Sequence, residues 1–190
     1  GAAGDERLTH EAGRINAVES RALGVHLVFG PVADVNNNPN NPVINTRSFG
    51  EDPAQVARLA AAFTRGLEAG GAIATLKHFP GHGDTDVDSH IGLPVITHDR
   101  TRLDALELLP FRRGIEAGAG AVMVAHIMLP AIDPAPDTPA TLSGPIVTGL
   151  LRQQLGFEGL AVTDSMQMEA VASRIPPGEA AVRAFAAGND

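Results

Sequence analysis

The chain contains no cysteine, no tryptophan and no tyrosine. Without cysteine there are no disulfides and no thiol chemistry, although this fixes no compartment. Seven phenylalanines are the whole aromatic inventory, so a ring that stacks on a sugar can come only from Phe. Basic residues are scarce: 14 Lys and Arg stand against 22 Asp and Glu, a net charge of −8 with histidine neutral. They form no run, so neither nucleic acid nor an anionic membrane surface is an expected partner. Nowhere do about 20 apolar residues stand together, so no membrane insertion is expected, and no basic-then-apolar signal opens the chain. No G-x-x-x-x-G-K-[ST] phosphate loop occurs, and no Gly-rich dinucleotide fingerprint follows the first apolar strand.

What is present is an alternation of helical and apolar segments. The 190 residues suffice for one domain with a sizeable core. Residues 1–23 read as a helix with Ile15, Val18 and Leu23 as its apolar stripe and Gly24 as its stop. Val25 to Val28 reads as a first strand, followed by an asparagine-rich loop from Asn36 to Gly50 that is too long for a mere connector. Asp52-Pro53 is an N-cap with proline at the first helical position, and Val56, Leu59, Ala60, Phe63 and Leu67 form the buried face. Ile73 to Leu76 is a second strand. Arg102 to Ala117 is helical with an interruption expected at Pro110, and Ala121 to His126 is a third strand. Ser143 caps a helix to Leu155, and Leu160 to Thr163 is a fourth strand ending at Asp164; two helical pieces then surround Pro176-Pro177. Strands that are apolar on both faces, alternating with helices, predict a parallel sheet covered by helices.

One stretch stands out, Lys77-His78-Phe79-Pro80-Gly81-His82-Gly83-Asp84-Thr85-Asp86-Val87-Asp88-Ser89-His90. It follows an apolar run and carries three histidines, three aspartates and a lysine. Three readings compete. It is a solvated polar loop; or a metal site; or an acid–base site. Asp84, Asp86 and Asp88 have the D-x-D-x-D start of a calcium loop, but Ser89 stands where glycine is needed and Val95 where the bidentate Glu belongs. His78 and His82 lack the Glu of H-E-x-x-H and sit on a segment broken by Gly and Pro. Asp88 and His90, two apart, project to the same side if the segment is extended. The carboxylate then orients the imidazole and favours its cation, which makes a proton donor suited to neutral pH.

K-H-F-P-G-H-G-D-T-D-V-D-S-H resembles the signature of the β-N-acetylhexosaminidases of glycoside hydrolase family 3. There the D-S-H tail is a dyad on a mobile loop, with His as general acid/base in place of the usual second carboxylate. Gly30 to Val35 and Asn41 to Pro53 are similar to the same family's third-strand region. The resemblance implies an α/β fold made of parallel β/α units of a TIM (β/α)8 barrel. A complete barrel takes about 250 residues and eight strands. About four are legible here, so residues 1–190 read as an internal part of one catalytic barrel, truncated at both ends. The family's D-Q-E-G-G segment, with its substrate-gripping Asp, is not in the sequence.

Asp164, in Val162-Thr163-Asp164-Ser165-Met166-Gln167-Met168, stands at a strand's C-terminal end, where carboxylates are catalytic or serve as N-caps. It resembles the family's nucleophile. The resemblance makes His90 and Asp88 the acid/base dyad, and makes Lys77, His78 and Arg47 hydrogen-bond donors to sugar hydroxyls. Arg47 could instead pair with Glu51 or Asp52 to hold its loop. His82 reads as loop-shaping, His126 as either a core or a site residue, and His10, His26 and His98 as structural. Met166 and Met168 read as packing residues. The implied activity is a retaining exo-β-N-acetylglucosaminidase acting on cell-wall or chitin-derived carbohydrate, with no metal or organic cofactor. A phosphorylase or β-glucosidase of the same family is the alternative, and a non-catalytic sugar-binding piece is the reading from a different class.

Overall fold

In the computed structural model, which describes residues 1–190, four parallel strands lie side by side in chain order. They are β1 (Leu27–Val28), β2 (Ile73–Phe79), β3 (Ala121–Val124) and β4 (Leu160–Thr163). Parallel neighbours need a crossover, and helices provide each one. α1 (Glu6–Ala22) precedes β1, and α2 (Pro53–Ala69) links β1 to β2. α3 (Arg100–Ala105) and α4 (Leu108–Glu116) link β2 to β3, and a π-helix over Pro145–Gln154 links β3 to β4. α5 (Glu169–Ala172) and α6 (Pro177–Ala187) follow. The strand order never reverses, which agrees with the expected parallel α/β sheet and not with a doubly wound one.

Register decides which residues share an edge. Phe79 stands beside Val124, and Val124 beside Thr163, so the C-terminal ends of β2, β3 and β4 are level. All four residues of β3 are buried, which is why its sequence shows no polar alternation. Beneath the strand ends, Phe79 and Phe111 meet edge-to-face at 5.3 Å between centroids, within one cluster that includes Leu76, Leu103, Leu108 and Ile127.

Several local expectations are corrected. α1 begins at Glu6, with Asp5 Oδ1 accepting from the Leu8 amide at 3.0 Å. Its buried residues are Gly13 and Ala17, while Ile15, Val18 and Leu23 are exposed. Small residues let α1 approach α2 closely: a Cβ placed on Gly66 would lie 2.1 Å from the His10 carbonyl oxygen. The contact is set by missing side chains, which an apolar-stripe reading does not register. The break between α3 and α4 falls at Leu106–Glu107, not at Pro110. Pro110 sits in the first turn of α4, where its missing N–H is one that a helix leaves unpaired anyway. β2 runs three residues past its expected end, so Lys77 and His78 belong to the strand and not to the loop. β1 and β3 are shorter than expected. The 145–154 helix has π geometry, yet Ser143 Oγ still accepts from the Ile146 amide at 3.2 Å.

Gly66→Ala should therefore cost about 1–3 kcal/mol, because neither backbone has room to retreat. Gly178→Ala, in a helical position with open space around it, should be neutral or mildly stabilising. Equal denaturant midpoints for the two variants would contradict this account of the α1–α2 contact.

Candidate active site

The chain after β1 keeps pairing with β2: the Ala33 amide donates to the Lys77 carbonyl at 2.6 Å and the Lys77 amide to the Pro31 carbonyl at 3.1 Å. This brings Asp34, with 0% exposure, against the end of β2. Its carboxylate accepts from the His78 amide, at 3.2 Å to each oxygen, from His78 Nδ1 at 2.7 Å, and from the His82 amide at 2.7 Å. Burial alone would raise the Asp34 carboxyl, but the His78 imidazole and the His82 amide outweigh it and hold it below the ordinary range. Nδ1–H of His78 is thereby committed to Asp34, and Nε2, 3.2 Å from Arg47 Nη2, must accept. The ring's tautomer follows from these partners. The Gly30–Pro31, Lys77–His78 and Phe79–Pro80 peptide bonds are cis.

Above this network lies a cavity of about 290 Å³, lined by Phe29, Arg47, Lys77, His78, His90 and Asp164 among others. Lys77 is half-buried; burial and the Arg47 guanidinium push its ammonium below the ordinary lysine value, against the pull of Asp164 and Asp34. Asp164 follows β4 directly. Its amide donates to the Val124 carbonyl at 2.8 Å, and its Oδ1 accepts from the Ser165 amide at 2.8 Å. The next helix, α5, starts only at Glu169, so Asp164 is not its N-cap. Arg47 makes no ion pair with Glu51 or Asp52; its guanidinium reaches His78 and the Val43 carbonyl. A wider cleft of about 460 Å³ between α1, α2 and α4 is remote from these groups and is floored by Ala54, Ala57 and Ala61.

His90 Nδ1 lies 2.7 Å from Asp88 Oδ1, which also accepts the His90 amide at 2.8 Å. Burial opposes ionisation of Asp88, but the His90 amide and ring prevail and hold the carboxyl below its usual value. The pair forms differently from the expected extended segment. Residues 88–92 make a turn, with the Ile91 and Gly92 amides both 2.9 Å from the Asp88 carbonyl, and the Asp88 side chain folds over it.

The calcium-like aspartates separate. Asp84 meets His98 Nε2 at 2.6 Å and Arg102 Nη2 at 3.0 Å, Asp86 accepts from Asn38 Nδ2 at 2.6 Å, and Asp88 serves His90. His98 is thus tied to the central loop, where the sequence shows no motif. Ligand atoms of Asp84, His98 and Glu107 lie within 4.8 Å of one another, but the Arg102 guanidinium already provides the cation between Asp84 and Glu107. Burial raises the Glu107 carboxyl.

His126 is fully buried under the Asp164 turn. Its Nε2 donates to the Ser165 carbonyl at 2.9 Å, and its Nδ1, 2.8 Å from Thr141 Oγ1, accepts. Burial lowers its ordinary pKa. Met168 is buried, as a packing residue should be. Asp34 was absent from the sequence-derived candidates, although it ends an apolar run just as Asp164 does. Asn41 was also missed: its Nδ2 donates to the His82 and Gly83 carbonyls at 2.8 and 3.0 Å, while its Oδ1 accepts from Val43 and Ile44 amides. A single Asn within an Asn-rich loop offers no distinguishing signal.

Two outcomes follow from this electrostatics. Asp34→Asn replaces one acceptor oxygen by a donor facing backbone amides, and should cost about 3 kcal/mol or more. The Asp34 carboxyl is lowered in the fold, so its contribution is complete above about pH 3.9 and is lost as pH falls through the lower folded value. Burial lowers both His82 and His126, so below about pH 6.5 the unfolded chain takes up protons that the native state refuses. Stability should therefore start to fall as pH drops past that point. His126→Gln, whose amide can still donate to Ser165, should show a shallower decline between pH 7 and 5 in denaturant midpoints. An unchanged slope would remove His126 from the account.

The sequence profile of the Glycosyl hydrolase family 3 N terminal domain matches residues 1–190. A β-hexosaminidase A from Pseudoalteromonas piscicida is 46% identical over 182 residues, covering 90% of this chain and 30% of that protein. A β-N-acetylglucosaminidase/β-glucosidase from Cellulomonas fimi is 41% identical over 180 residues, covering 90% and 32% respectively. Among solved structures, a family 3 β-N-acetylglucosaminidase from Paenibacillus sp. str. FPU-7 superposes with a TM-score of 0.97 at 51% identity, covering 100% of this chain and 36% of the other. The chain thus spans about a third of the length of these relatives. With the whole of its length matched, this chain belongs to glycoside hydrolase family 3, within its N-terminal domain.

Proposed function

We propose that this chain is the catalytic part of a retaining exo-β-N-acetylglucosaminidase, and that its four strands belong to a (β/α)8 barrel. The observation that carries the reading is that Asp164 and His90 line one small cavity, with His90 backed by Asp88 at 2.7 Å.

In this reading Asp164 attacks the anomeric carbon while His90 Nε2 gives its proton to the departing glycosidic oxygen. The glycosyl–aspartate ester is then opened by water, which loses a proton to the same nitrogen, and the enzyme returns to its starting state. Asp88 holds the imidazole's Nδ1–H and steadies its charge in both steps. Lys77 and Arg47 grip sugar hydroxyls, and His78, expected to do the same, has no N–H left to offer. With Nε2 of His78 accepting from Arg47, its ring acts there mainly by fixing the guanidinium. Phe29, half exposed at the cavity wall, provides the apolar face that Trp or Tyr would otherwise supply. These steps draw on no cofactor. Terminal N-acetylglucosamine of cell-wall or chitin-derived fragments is the proposed substrate, in line with the names of the relatives.

A phosphorylase is the second reading. An imidazole in place of a carboxylate acid leaves less negative charge near an entering phosphate, and Lys77 and Arg47 face the same cavity. Product analysis with and without phosphate separates the two: a glycosyl phosphate favours the phosphorylase, free sugar the hydrolase. A β-glucosidase activity, printed in the name of the Cellulomonas fimi relative, is read by comparing aryl glucosides with aryl N-acetylglucosaminides.

In the full-length protein, Asp164→Ala should lower turnover about 10⁴-fold or more, since no ester can form. Added azide should restore cleavage and yield the glycosyl azide of inverted configuration. Hydrolysis at close to the unmodified rate would overturn the assignment and favour a role in binding. His90→Ala should slow poor leaving groups most and largely spare the first step with an activated aryl glycoside. Equal losses for both would remove His90 as the acid.

A further inference from the structure

The segment that carries Asp88 and His90 is held to the rest of the fold at one point. Between Val87 and Gly92, the bond between Ser89 and His82 is the one hydrogen bond that leaves the segment. Ser89 is 2% exposed, whereas the side chains of Asp88 and His90 on either side are 25% and 60% exposed. The middle residue of the D-S-H tail therefore points into the protein while its neighbours point out.

Ser89 Oγ lies 3.0 Å from His82 Nε2. The other ring nitrogen, Nδ1, lies 2.7 Å from Thr85 Oγ1, and the Thr85 hydroxyl donates to the His82 carbonyl at 3.1 Å. With its one proton so used, Thr85 accepts from Nδ1–H. Nε2 then carries the lone pair and the Ser89 hydroxyl donates to it. His82 is 1% exposed, and burial lowers its pKa, which favours the ring as this neutral acceptor. The ring is well rooted: its own amide donates to Asp34 at 2.7 Å, and its carbonyl accepts from Asn41 Nδ2 at 2.8 Å. Next to it, Gly83 lies so close to Val35 that a Cβ would sit 1.7 Å from the Val35 carbonyl oxygen. The base of the loop cannot slide, and the remaining freedom lies in the stretch that Ser89 pins.

We propose that His82 and Ser89 are positioning residues for proton transfer: the Ser89–His82 hydrogen bond sets where the Asp88–His90 pair stands over the cavity relative to Asp164. This rests on the functional reading above. His82 and Ser89 border the same cavity, but both ring nitrogens of His82 are taken by Thr85 and Ser89, so it offers the sugar no hydrogen bond and acts through Ser89. The inference concerns proton transfer alone, because Lys77, His78, Arg47 and Asp164 are held by other contacts.

The test uses the full-length protein, with Ser89→Ala, which removes the bond, and Ser89→Thr, which keeps the hydroxyl. Two readouts are compared: hydrolysis of alkyl and dinitrophenyl N-acetylglucosaminides, and amide hydrogen exchange over residues 87–92. Ser89→Ala should lower kcat for the alkyl glycoside about ten- to a hundredfold, the scale for displacing a catalytic group by about 1 Å. The burst of dinitrophenolate, whose departure needs no proton, and KM should stay close to their unmodified values. Exchange at Ile91 and Gly92 should quicken in Ser89→Ala with the rest of the chain unchanged, and Ser89→Thr should recover both readouts. Equal losses with the two leaving groups, or exchange over 87–92 unaltered by Ser89→Ala, would overturn the proposal. If the unmodified protein hydrolyses neither glycoside, the functional reading fails, while the exchange comparison still decides whether Ser89 pins the segment.

Discussion

Asp34 is a carboxylate without solvent, and three groups of the β2 end and its following loop converge on it: the His78 amide, the His78 ring and the His82 amide. An isolated buried carboxylate would be costly, so the chain around it must keep all three donors in place. Everything on the cavity floor inherits that requirement. The His78 tautomer is set by it, Arg47 is set by His78, and His82 is rooted in the same anion before reaching out to Ser89. One buried charge thus organises the proposed grip on the substrate and the base of the loop that bears the proposed acid.

The other half of the arrangement comes from the sheet. Because β2, β3 and β4 end level, Lys77, His78 and Asp164 arrive at one edge without any long loop having to bring them. Asp164 is further fixed by its amide on β3 and by His126 holding the next carbonyl. The proposed nucleophile is thus on rigid scaffold, whereas the proposed acid/base pair is on a turn attached through Ser89. That division suits a reaction in which the sugar must enter and leave past the same pair, while the attacking oxygen stays still.

The sequence was most legible where one physical signal stood alone. Short apolar runs between helical segments marked the strands, and Asp52-Pro53 marked the start of α2. The density of charge between Lys77 and His90 marked the loop. It failed where a feature depended on a missing side chain or on a distant partner. Gly13 and Gly66 pack α1 on α2 through close backbone approach, which hydropathy cannot see, and the apolar stripe of Ile15, Val18 and Leu23 is exposed instead. Asp34 differs from Asp164 only in what lies 44 residues away, and local sequence holds no record of that. The turn at Asp88 illustrates a third kind of failure: the i, i+2 pairing was legible, but a side chain folding onto its own backbone was the means, not an extended segment.

The central claim is that Asp164 attacks the sugar while the Asp88–His90 pair moves the proton. The most direct measurement is to incubate the full-length protein with a fluorinated N-acetylglucosaminyl fluoride, whose first step outpaces its second, and to locate the adduct by peptide mass analysis. The account predicts one glycosyl unit, attached to the Asp164 carboxylate. An adduct on any other residue, or time-dependent turnover without an adduct, would contradict it.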